Sequence, residues 1–334
     1  MGATILLTGG AGYIGAHTCV ALDTAGYIPV IFDDFSNADR NTPARIGQLT
    51  GKAVTVVEGN ILDKQGLARA FADYQPDAVI HLAARKAVGQ SAKHPFLYIE
   101  NNAAGLINVV GAMRTCGTRT IVFSSSATVY GTPAILPIPE TAPLGFTNPY
   151  GFTKLIGEQI LDQIAEADKD WTVGILRYFN AAGAHGSGLL LPHPEHSSQP
   201  AENLMPRLLG VAQGTSDHLK IFGNDWDTPD GTPIRDYIHI EDIARGHVLS
   251  LDALMTTQKS HTVNLGTGDG CSVLQMVAAF QNACGREIPC QIAPRRGGDI
   301  GICYADVRRA RQILGFEAQF SLAEICASAW AVGA

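Results

Sequence analysis

The chain has 334 residues, of which 46% are apolar and 16% are charged. This length and apolar content suit one large α/β domain or two joined units, and they exclude a disordered chain. The formal net charge of −7 at pH 7 argues against a nucleic-acid partner, because a phosphate backbone is bound by a basic surface.

Through the first half of the chain, short apolar runs alternate with longer stretches in which apolar residues recur with the period of a helix. The predicted strands are Thr4–Leu7, Pro29–Phe32, Val54–Val57, Ala78–Ile80, Thr120–Phe123 and Val173–Leu176. The predicted helices are Tyr13–Thr24, Lys64–Asp73, Pro95–Thr115 and Tyr150–Ala167. This alternation predicts a parallel sheet covered by helices on both faces, with right-handed crossovers.

After Tyr178 the pattern becomes less regular and predicts a smaller, loop-rich lobe. Two serines there have capping-box spacing to a Gln or Glu three residues later, which predicts two helix starts. The features predicted in this half are a loop over 181–200, a helix near Leu204–Gln213, strands near Leu219–Phe222 and Tyr237–Ile240, and the caps Ser272 with Gln275 and Ser321 with Glu324.

The seven cysteines indicate a reducing compartment. Their number is odd and none lies in a C-x-x-C pair, so neither a disulfide framework nor a zinc cluster is expected. No apolar run is long enough to span a membrane, and no signal peptide is recognisable. We therefore expect a cytoplasmic protein without a bound metal and without a membrane partner.

A glycine-rich turn joins the first predicted strand to the first predicted helix. Thr8–Gly15 reads TGGAGYIG, and Gly9, Gly12 and Gly15 satisfy the pattern G-x-x-G-x-x-G. Backbone amides and the helix N-terminus can therefore approach a pyrophosphate, whose negative charge the helix dipole favours. Asp33 ends the next strand about 20 residues on, where a carboxylate accepts from ribose hydroxyls and repels a 2′-phosphate. The combination predicts a site for NAD rather than NADP.

Tyr150 and Lys154 begin a predicted helix and lie one turn apart on the same face. A phenol with its ordinary pKa of about 10 is a weak base at neutral pH, but a neighbouring ammonium and a cationic nicotinamide favour the phenolate. Ser126 ends the run Ser124–Ser126 at the carboxyl edge of the predicted sheet, where such folds bind ligands. We therefore expect Tyr150 to move a proton on a substrate hydroxyl beside Ser126.

These residues lie in longer segments that resemble the extended short-chain dehydrogenase/reductases and, among them, the UDP-glucose 4-epimerases. The matching segments run almost end to end and read TGGAGYIGAHTCVAL, KAVGQS, FSSSATVYG, NPYGFTK, LRYFNAAGAH, NLMP, IFGNDW, DGTPIRDYIH, NLGTG and APRRGGD. The resemblance implies a doubly wound, Rossmann-like parallel α/β sheet with a smaller mixed α/β lobe. The expected NAD-binding domain is 1–180 with returning segments near 236–266, and the nucleotide-sugar lobe is 181–334.

The resemblance also implies the site residues, with Tyr150, Lys154 and Ser126 as the catalytic group. Those expected to bind NAD are Gly9, Gly12, Tyr13, Ile14, Gly15, Asp33, Asp34, Phe35, Ser36, Asn37, Ala38, Asn60, Ile61, Leu82, Ala83, Ala84, Lys86, Asn101, Ser126, Tyr150, Lys154 and Phe179. Those expected to bind the UDP-hexose are Lys86, Ser126, Tyr150, Asn180, Asn203, Leu204, Lys220, Ile221, Phe222, Arg235, Arg296, Asp299 and Cys303. Planar guanidinium groups such as Arg235 and Arg296 suit a diphosphate.

Two positions depart from the resembled family. Asn60 stands where the family usually has an aspartate that accepts from the adenine amino group, and its carbonyl oxygen keeps an acceptor there. Cys303 lies four residues after Asp299, where some members carry a bulky tyrosine. In the family a small residue at this position accompanies room for an N-acetyl group on C2 of the sugar, although Cys303 could also pack only as a small apolar side chain.

The implied reaction interconverts UDP-glucose and UDP-galactose. The sugar is oxidised at C4, the 4-keto sugar turns over, and reduction follows on its opposite face. Because of Cys303, interconversion of UDP-N-acetylglucosamine and UDP-N-acetylgalactosamine is also expected. The sequence leaves open a 4-epimerase of UDP-glucuronate or a UDP-pentose. A 4,6-dehydratase is disfavoured because Ser125–Gly131 carries no carboxylate pair, and a non-catalytic NAD-sensing protein is disfavoured because the Tyr150/Lys154 pair is retained.

The remaining expectations concern histidines and assembly. His193–His196 lies in a proline-rich loop without helical ligand spacing and is read as a solvated loop, not a metal site. In the resembled family, helices equivalent to Pro95–Thr115 and Tyr150–Ala167 pair across a two-fold axis, so a homodimer is expected. The histidines expected to be packed and hydrogen-bonded are His17, His81 and His239.

Overall fold

The computed structural model describes residues 2–190 and 203–333. The His193–His196 stretch therefore lies outside the described residues. The elements up to residue 178 are, in chain order, β1 (Thr4–Thr8), α1 (Tyr13–Thr24), β2 (Ile28–Asp33), α2 (Thr42–Thr50), β3 (Thr55–Glu58), α3 (Lys64–Tyr74), β4 (Ala78–His81), α4 (Val88–Lys93), α5 (Pro95–Ile99), a π-helical segment (Glu100–Ala104), α6 (Gly105–Cys116), β5 (Thr120–Ser126), a 3₁₀ turn (Ala127–Val129), α7 (Pro149–Ala167) and β6 (Thr172–Tyr178).

The second half contributes shorter strands and several helices. They are β7 (Asn180–Ala182), α8 (Leu204–Ala212), β8 (Leu219–Phe222), β9 (Ile234–Arg235), β10 (Tyr237–His239), α9 (Ile240–Thr257), β11 (His261–Leu265), β12 (Cys271–Ser272), α10 (Val273–Cys284), β13 (Cys290–Ala293), β14 (Ile302–Cys303), α11 (Arg308–Leu314) and α12 (Leu322–Gly333). None of the helices within the described ranges combines the length and the apolar character that crossing a membrane requires.

A seven-stranded sheet in the order β11-β6-β5-β4-β1-β2-β3 forms the frame of the molecule. Its paired strands all run parallel. The strand order reverses between β1 and β4, which creates a crevice at the carboxyl ends of these two strands, where open α/β sheets bind ligands. This doubly wound, Rossmann-like sheet is the fold that the sequence predicted.

Alternating side chains of the sheet enter two separate cores, as strand geometry requires. Ile5 and Leu7 of β1 face α1 and α9 with Leu251, whereas Leu6 faces the opposite layer with Phe71 and Val109. Every one of these side chains is fully buried. The sheet is therefore covered on both faces, which explains why its strands read as continuous apolar runs.

A third core belongs to the second half of the chain. There α8, α10 and α12 pack over the parallel pair β8 and β13, with Leu208, Ile221 and Phe280 at the centre. Both predicted caps are present, because Ser272 exchanges hydrogen bonds with Gln275 at the start of α10 and Ser321 does so with Glu324 before α12. The chain returns to the main sheet through β11.

Most predicted elements are confirmed, with differences of one to three residues at their ends. The long helix predicted over Pro95–Thr115 is instead interrupted by the π-helical segment Glu100–Ala104. In this segment the buried Asn102 side chain bonds both backbone groups of Arg85 and the hydroxyl of Thr153. Helices α2, α4, α9 and α11 were not predicted.

A buried ion pair joins helix α7 to the sheet. The Glu158 carboxylate accepts from Arg177 of β6, with Oε2 2.6 Å from Nη2, and from the hydroxyl of Ser125 in β5. Arg177 also donates to the hydroxyl of Tyr130 at 3.1 Å, which donates in turn to Asn264 Oδ1 at 2.6 Å. Since both charges are almost fully enclosed, this network sets the position of α7 on the sheet.

Replacing Glu158 with alanine should therefore lower the free energy of unfolding by about 3 to 5 kcal/mol, because it leaves the buried Arg177 charge without a counter-charge. Urea unfolding followed by circular dichroism measures this change. Glu166→Ala, at an exposed position of the same helix, is the matched control and should change stability by less than about 0.5 kcal/mol. Equal effects of the two substitutions would contradict the structural role of the pair.

Candidate active site

The glycine turn between β1 and α1 opens onto the crevice. Gly9 has φ +74°, and a Cβ there would lie 2.7 Å from the amide nitrogen of Ala83. A Cβ on Gly15 would lie 2.3 Å from the Gly9 carbonyl oxygen, so both glycines are needed for close packing. At Gly12, the N-cap of α1, a Cβ would meet only the Gly9 oxygen at 3.4 Å among the described residues.

The first turn of α1 therefore offers its amides to the crevice. No side chain of the described residues caps this helix start, so the amides after Gly12 remain as donors at the positive end of a helix dipole. This arrangement fits the pyrophosphate of a dinucleotide, whose oxygens accept such bonds. Tyr13 directs its hydroxyl to the Gly183 carbonyl oxygen at 2.5 Å.

Asp33, at the end of β2, faces the same turn. Its carboxylate accepts from the amides of Ala11 at 3.0 Å and Phe35 at 2.9 Å. Burial raises the pKa of Asp33, while these backbone donors lower it. Phe35 itself has φ +54°, so the chain turns sharply directly after the carboxylate.

Asn60, at the end of β3, is bonded within the protein. Its Nδ2 donates to Asp34 Oδ2 at 2.7 Å, and its Oδ1 accepts from the Leu62 amide at 2.8 Å. Asp34 Oδ1 accepts from the Ser36 amide at 2.9 Å. The asparagine that replaces the family's usual aspartate at position 60 is therefore hydrogen-bonded to the loop that follows Asp33.

The opposite wall of the crevice follows β4. His81, the last residue of β4, shares a hydrogen bond of 2.7 Å with Thr8 Oγ1 of β1. The segment after it contains Leu82–Lys86, and the nearby Asn101 donates to the Asn102 side chain at 3.0 Å. His17 and His239 are likewise buried and hydrogen-bonded, as predicted.

Helix α7 begins next to the end of β5. The Asn148 side chain caps it by accepting from the Gly151 amide at 2.9 Å, and Pro149 takes the first helical position. Gly157 lets the helix approach the sheet, because a Cβ there would lie 2.6 Å from Cζ of Phe123. The helix therefore starts with Tyr150 at the carboxyl edge of the sheet.

Lys154 points into the interior beneath Tyr150. Its Nζ donates to the Ser124 carbonyl oxygen at 2.6 Å and lies 5.9 Å from the centre of the Tyr150 ring. Burial lowers the pKa of Lys154 to about 7, and the negative charge of Glu158 acts in the opposite direction. The ammonium thus lies within electrostatic reach of the phenol, in surroundings that strengthen the interaction.

Burial shifts the pKa of Tyr150 in the opposite direction to that of Lys154. Burial raises the pKa of its phenol to about 12, and a hydrogen bond with the Ser126 hydroxyl lowers it. Tyr178, which the sequence analysis did not single out, donates its hydroxyl to Ser124 Oγ. Tyr150, Lys154 and Ser126 are therefore brought together, as their positions in the sequence suggested.

The candidate substrate residues lie around β8, β9 and β14. The Arg296 guanidinium lies 4.6 Å from the centre of the Phe222 ring and bonds Asp299 at 2.9 Å. Arg235 donates to the Ile300 carbonyl oxygen at 2.8 Å. Cys303 of β14 is buried and pairs in register with Arg235 of β9.

The other predicted substrate positions lie on separate elements. Asn180 begins β7, Asn203 is the N-cap of α8, and Lys220 lies exposed on β8. Arg207, one turn into α8, was not predicted; its guanidinium lies 5.9 Å from the Phe222 ring. Among residues 2–190 and 203–333, no group of three His, Cys, Asp or Glu side chains is suited to a metal ion.

The site and fold define a nucleotide-dependent enzyme of the short-chain dehydrogenase type. A sequence model of the NAD-dependent epimerase/dehydratase family matches residues 5–266, and the chain belongs to this family. Within it, the chain is similar to the UDP-glucose 4-epimerase of Bacillus subtilis, with 48% identity over 98% of this chain and 95% of that protein. It is 44% identical to the UDP-glucose 4-epimerase of Homo sapiens over 99% of this chain and 96% of that one.

The fold is shared as well. A crystal structure of UDP-glucose-4-epimerase from Stenotrophomonas maltophila, with bound NAD and formylated UDP-arabinopyranose, aligns with a TM-score of 0.95 at 43% identity. The alignment covers 99% of this chain and 98% of that chain. The resemblance to the UDP-glucose 4-epimerases that the sequence motifs indicated is therefore confirmed.

Proposed function

We propose that this protein interconverts UDP-glucose and UDP-galactose with a tightly held NAD. The observation that carries the proposal is the convergence of Tyr150, Lys154 and Ser126 at the carboxyl edge of the sheet whose first strand leads into the glycine turn. Similarity to UDP-glucose 4-epimerases over almost the full chain supports the choice of substrate.

NAD would lie in the crevice between the ends of β1 and β4. The amides after Gly12 bind its pyrophosphate, and Asp33 accepts from the adenosine ribose. Lys154 would bind the nicotinamide ribose. When bound, NAD supplies a hydride acceptor and donor for C4 of the sugar.

Tyr150 moves the proton of the sugar 4-hydroxyl. Because its pKa is about 12 in the protein alone, the phenol is protonated at neutral pH, and added positive charge near the ring favours the phenolate. Ser126, bonded to Tyr150, relays the hydroxyl proton. As the 4-keto sugar forms and is reduced, Tyr150 accepts and then returns the same proton, so no net acid or base is consumed.

Epimerisation also requires one end of the substrate to be fixed while the other turns. Arg235 and Arg296 carry guanidinium groups suited to the diphosphate, and Phe222, whose ring lies next to the Arg296 guanidinium, would border the nucleotide. The side chains assigned to the sugar are Ser126, Tyr150 and Cys303, and none of them carries paired donors like those of an arginine. A firmly held nucleotide and a loosely held hexose allow the 4-keto sugar to present either face.

Replacing Tyr150 with phenylalanine should leave NAD bound but reduce turnover about 10²- to 10⁴-fold, because only the proton-transfer group is lost. The assay incubates the purified protein with UDP-galactose and measures UDP-glucose, while the absorbance of released dinucleotide reports occupancy. Tyr74→Phe, at an exposed position of α3, is the matched control and should behave as the parent. Normal turnover in Tyr150→Phe would overturn the assigned role.

Cys303 sets the width of the sugar pocket in this proposal. It is buried between Arg235 of the neighbouring strand and a small apolar cluster that contains Tyr130 and Phe179. A cysteine side chain takes up far less room at this position than a tyrosine ring would. The protein should therefore also interconvert UDP-N-acetylglucosamine and UDP-N-acetylgalactosamine.

Replacing Cys303 with tyrosine should lower kcat/KM for UDP-N-acetylgalactosamine at least about tenfold more than for UDP-galactose, because the ring occupies the N-acetyl space. Both substrates are assayed side by side with each variant. Cys290→Tyr, at an exposed position of β13, controls for an added tyrosine. Parallel changes in both activities, or no change, would refute the gatekeeper role.

We also propose a homodimer formed through α5, α6 and α7, in a cytoplasmic setting where the free cysteines stay reduced. Phe96 of α5 and Ile107 of α6 are large apolar side chains that are 74% and 55% exposed, and exposed apolar patches mark interaction surfaces. A second copy would cover this face and hold the helix that carries Tyr150.

Size-exclusion chromatography with light scattering should give the mass of two chains for the parent at micromolar concentration. Phe96→Asp together with Ile107→Asp should shift it to one chain, because a charge is costly in an apolar interface. Ile292→Asp, in the substrate lobe and 49% exposed, is the control. A monomeric parent would contradict the proposed dimer.

A further inference from the structure

The loop after β2 and the end of β3 are joined by two hydrogen bonds. The Gly59 amide donates to the Asp33 carbonyl oxygen at 3.0 Å, and Asn60 Nδ2 donates to Asp34 Oδ2 at 2.7 Å. The second bond links two side chains that are both half-buried. It therefore connects position 60 with the loop that carries the ribose-binding carboxylate.

The roles of donor and acceptor in this bond are set by the neighbouring backbone. The Leu62 amide donates to Asn60 Oδ1 at 2.8 Å, which leaves the amide nitrogen of Asn60 to face Asp34. The Ser36 amide donates to Asp34 Oδ1 at 2.9 Å, so both carboxylate oxygens have a donor. The pair thus needs one donor and one acceptor side chain.

The loop that this bond holds has a constrained shape. Phe35 adopts φ +54°, a left-handed conformation that is uncommon for a bulky residue and persists where surrounding contacts impose it. Two contacts surround Phe35. Its amide donates to the Asp33 carboxylate at 2.9 Å, and the Arg40 guanidinium lies 5.1 Å from the centre of its ring. Arg40 is in turn paired with Glu58 at the end of β3.

We propose that Asn60 is a positioning residue for the adenosine end of the cofactor site, acting through Asp34 on the loop 33–38. The inference rests on the proposed function only in that NAD is the ligand. An aspartate at position 60 would place two carboxylates at hydrogen-bond distance, where they repel each other or must share a proton. With Asp34 in the loop, an amide at position 60 is the side chain that keeps the loop closed.

This role differs from a direct contact with adenine, which is what position 60 contributes in the resembled family. A direct contact depends on residue 60 alone. A positioning role depends on the combination of residues 34 and 60. Exchanging the two side chains separates these possibilities, because the swapped pair again has one amide and one carboxylate.

The experiment compares NAD binding by the parent, Asn60→Asp, Asp34→Asn and the double swap Asn60→Asp/Asp34→Asn. Each purified protein is stripped of dinucleotide and titrated with NAD by calorimetry, and the rate of NAD loss from the reloaded protein is followed separately. Asn41→Asp, an exposed site with the same change in charge, is the matched control. Urea unfolding of each stripped protein verifies that it is folded.

Asn60→Asp should weaken NAD binding about tenfold or more, since a charge-assisted hydrogen bond becomes a repulsive contact. The double swap should return to within about threefold of the parent, as a restored donor–acceptor pair predicts. A swap as weak as Asn60→Asp alone, or parent-like binding by Asn60→Asp, overturns the positioning role while leaving the proposed function intact. A parent that binds no NAD contradicts both.

Discussion

The candidate site depends on the buried ion pair between Glu158 and Arg177. The pair joins the middle of α7 to β6, and Ser125 ties the same carboxylate to β5. One turn before Glu158 on the helix is Lys154, and one residue after Ser125 is Ser126. The network therefore sets the distance between the groups assigned to proton transfer without contacting a substrate.

Burial acts in opposite directions on the two ionisable groups of the site. It raises the pKa of Tyr150 and lowers that of Lys154, so each group alone is driven toward its neutral form. A phenolate and an ammonium stabilise each other when both are enclosed, because their interaction is strong where water is excluded. With Lys154 in place the phenol is still protonated at neutral pH, so the added positive charge of a bound nicotinamide is needed to favour the phenolate.

The rest of the fold divides the two tasks that epimerisation needs. The seven-stranded sheet forms the topological switch point at which the proposed cofactor site lies, and Phe222, Arg235 and Arg296, which are proposed to bind the nucleotide, lie in the second half of the chain. The lobe is built from two-residue strands such as β9 and β14, whose register pairs Arg235 with Cys303. Arg235, proposed for the diphosphate, and Cys303, proposed for the sugar pocket, are consequently neighbours in space but 68 positions apart in the chain.

The sequence by itself determined the doubly wound fold, the glycine turn, the acidic residue after β2 and the grouping of Tyr150, Lys154 and Ser126. These features are local: apolar periodicity, turn glycines and helical spacing are encoded by residues close together in the chain. Helix α9, the π-helical interruption around Asn102 and the roles of Glu158 and Tyr178 were decided by tertiary structure. Each depends on partners distant in sequence, as do the bond between Asn60 and Asp34 and the pairing of Cys303 with Arg235. A buried polar side chain forms hydrogen bonds with groups that the fold brings next to it. The residues adjacent to it in the sequence do not reveal which groups these are.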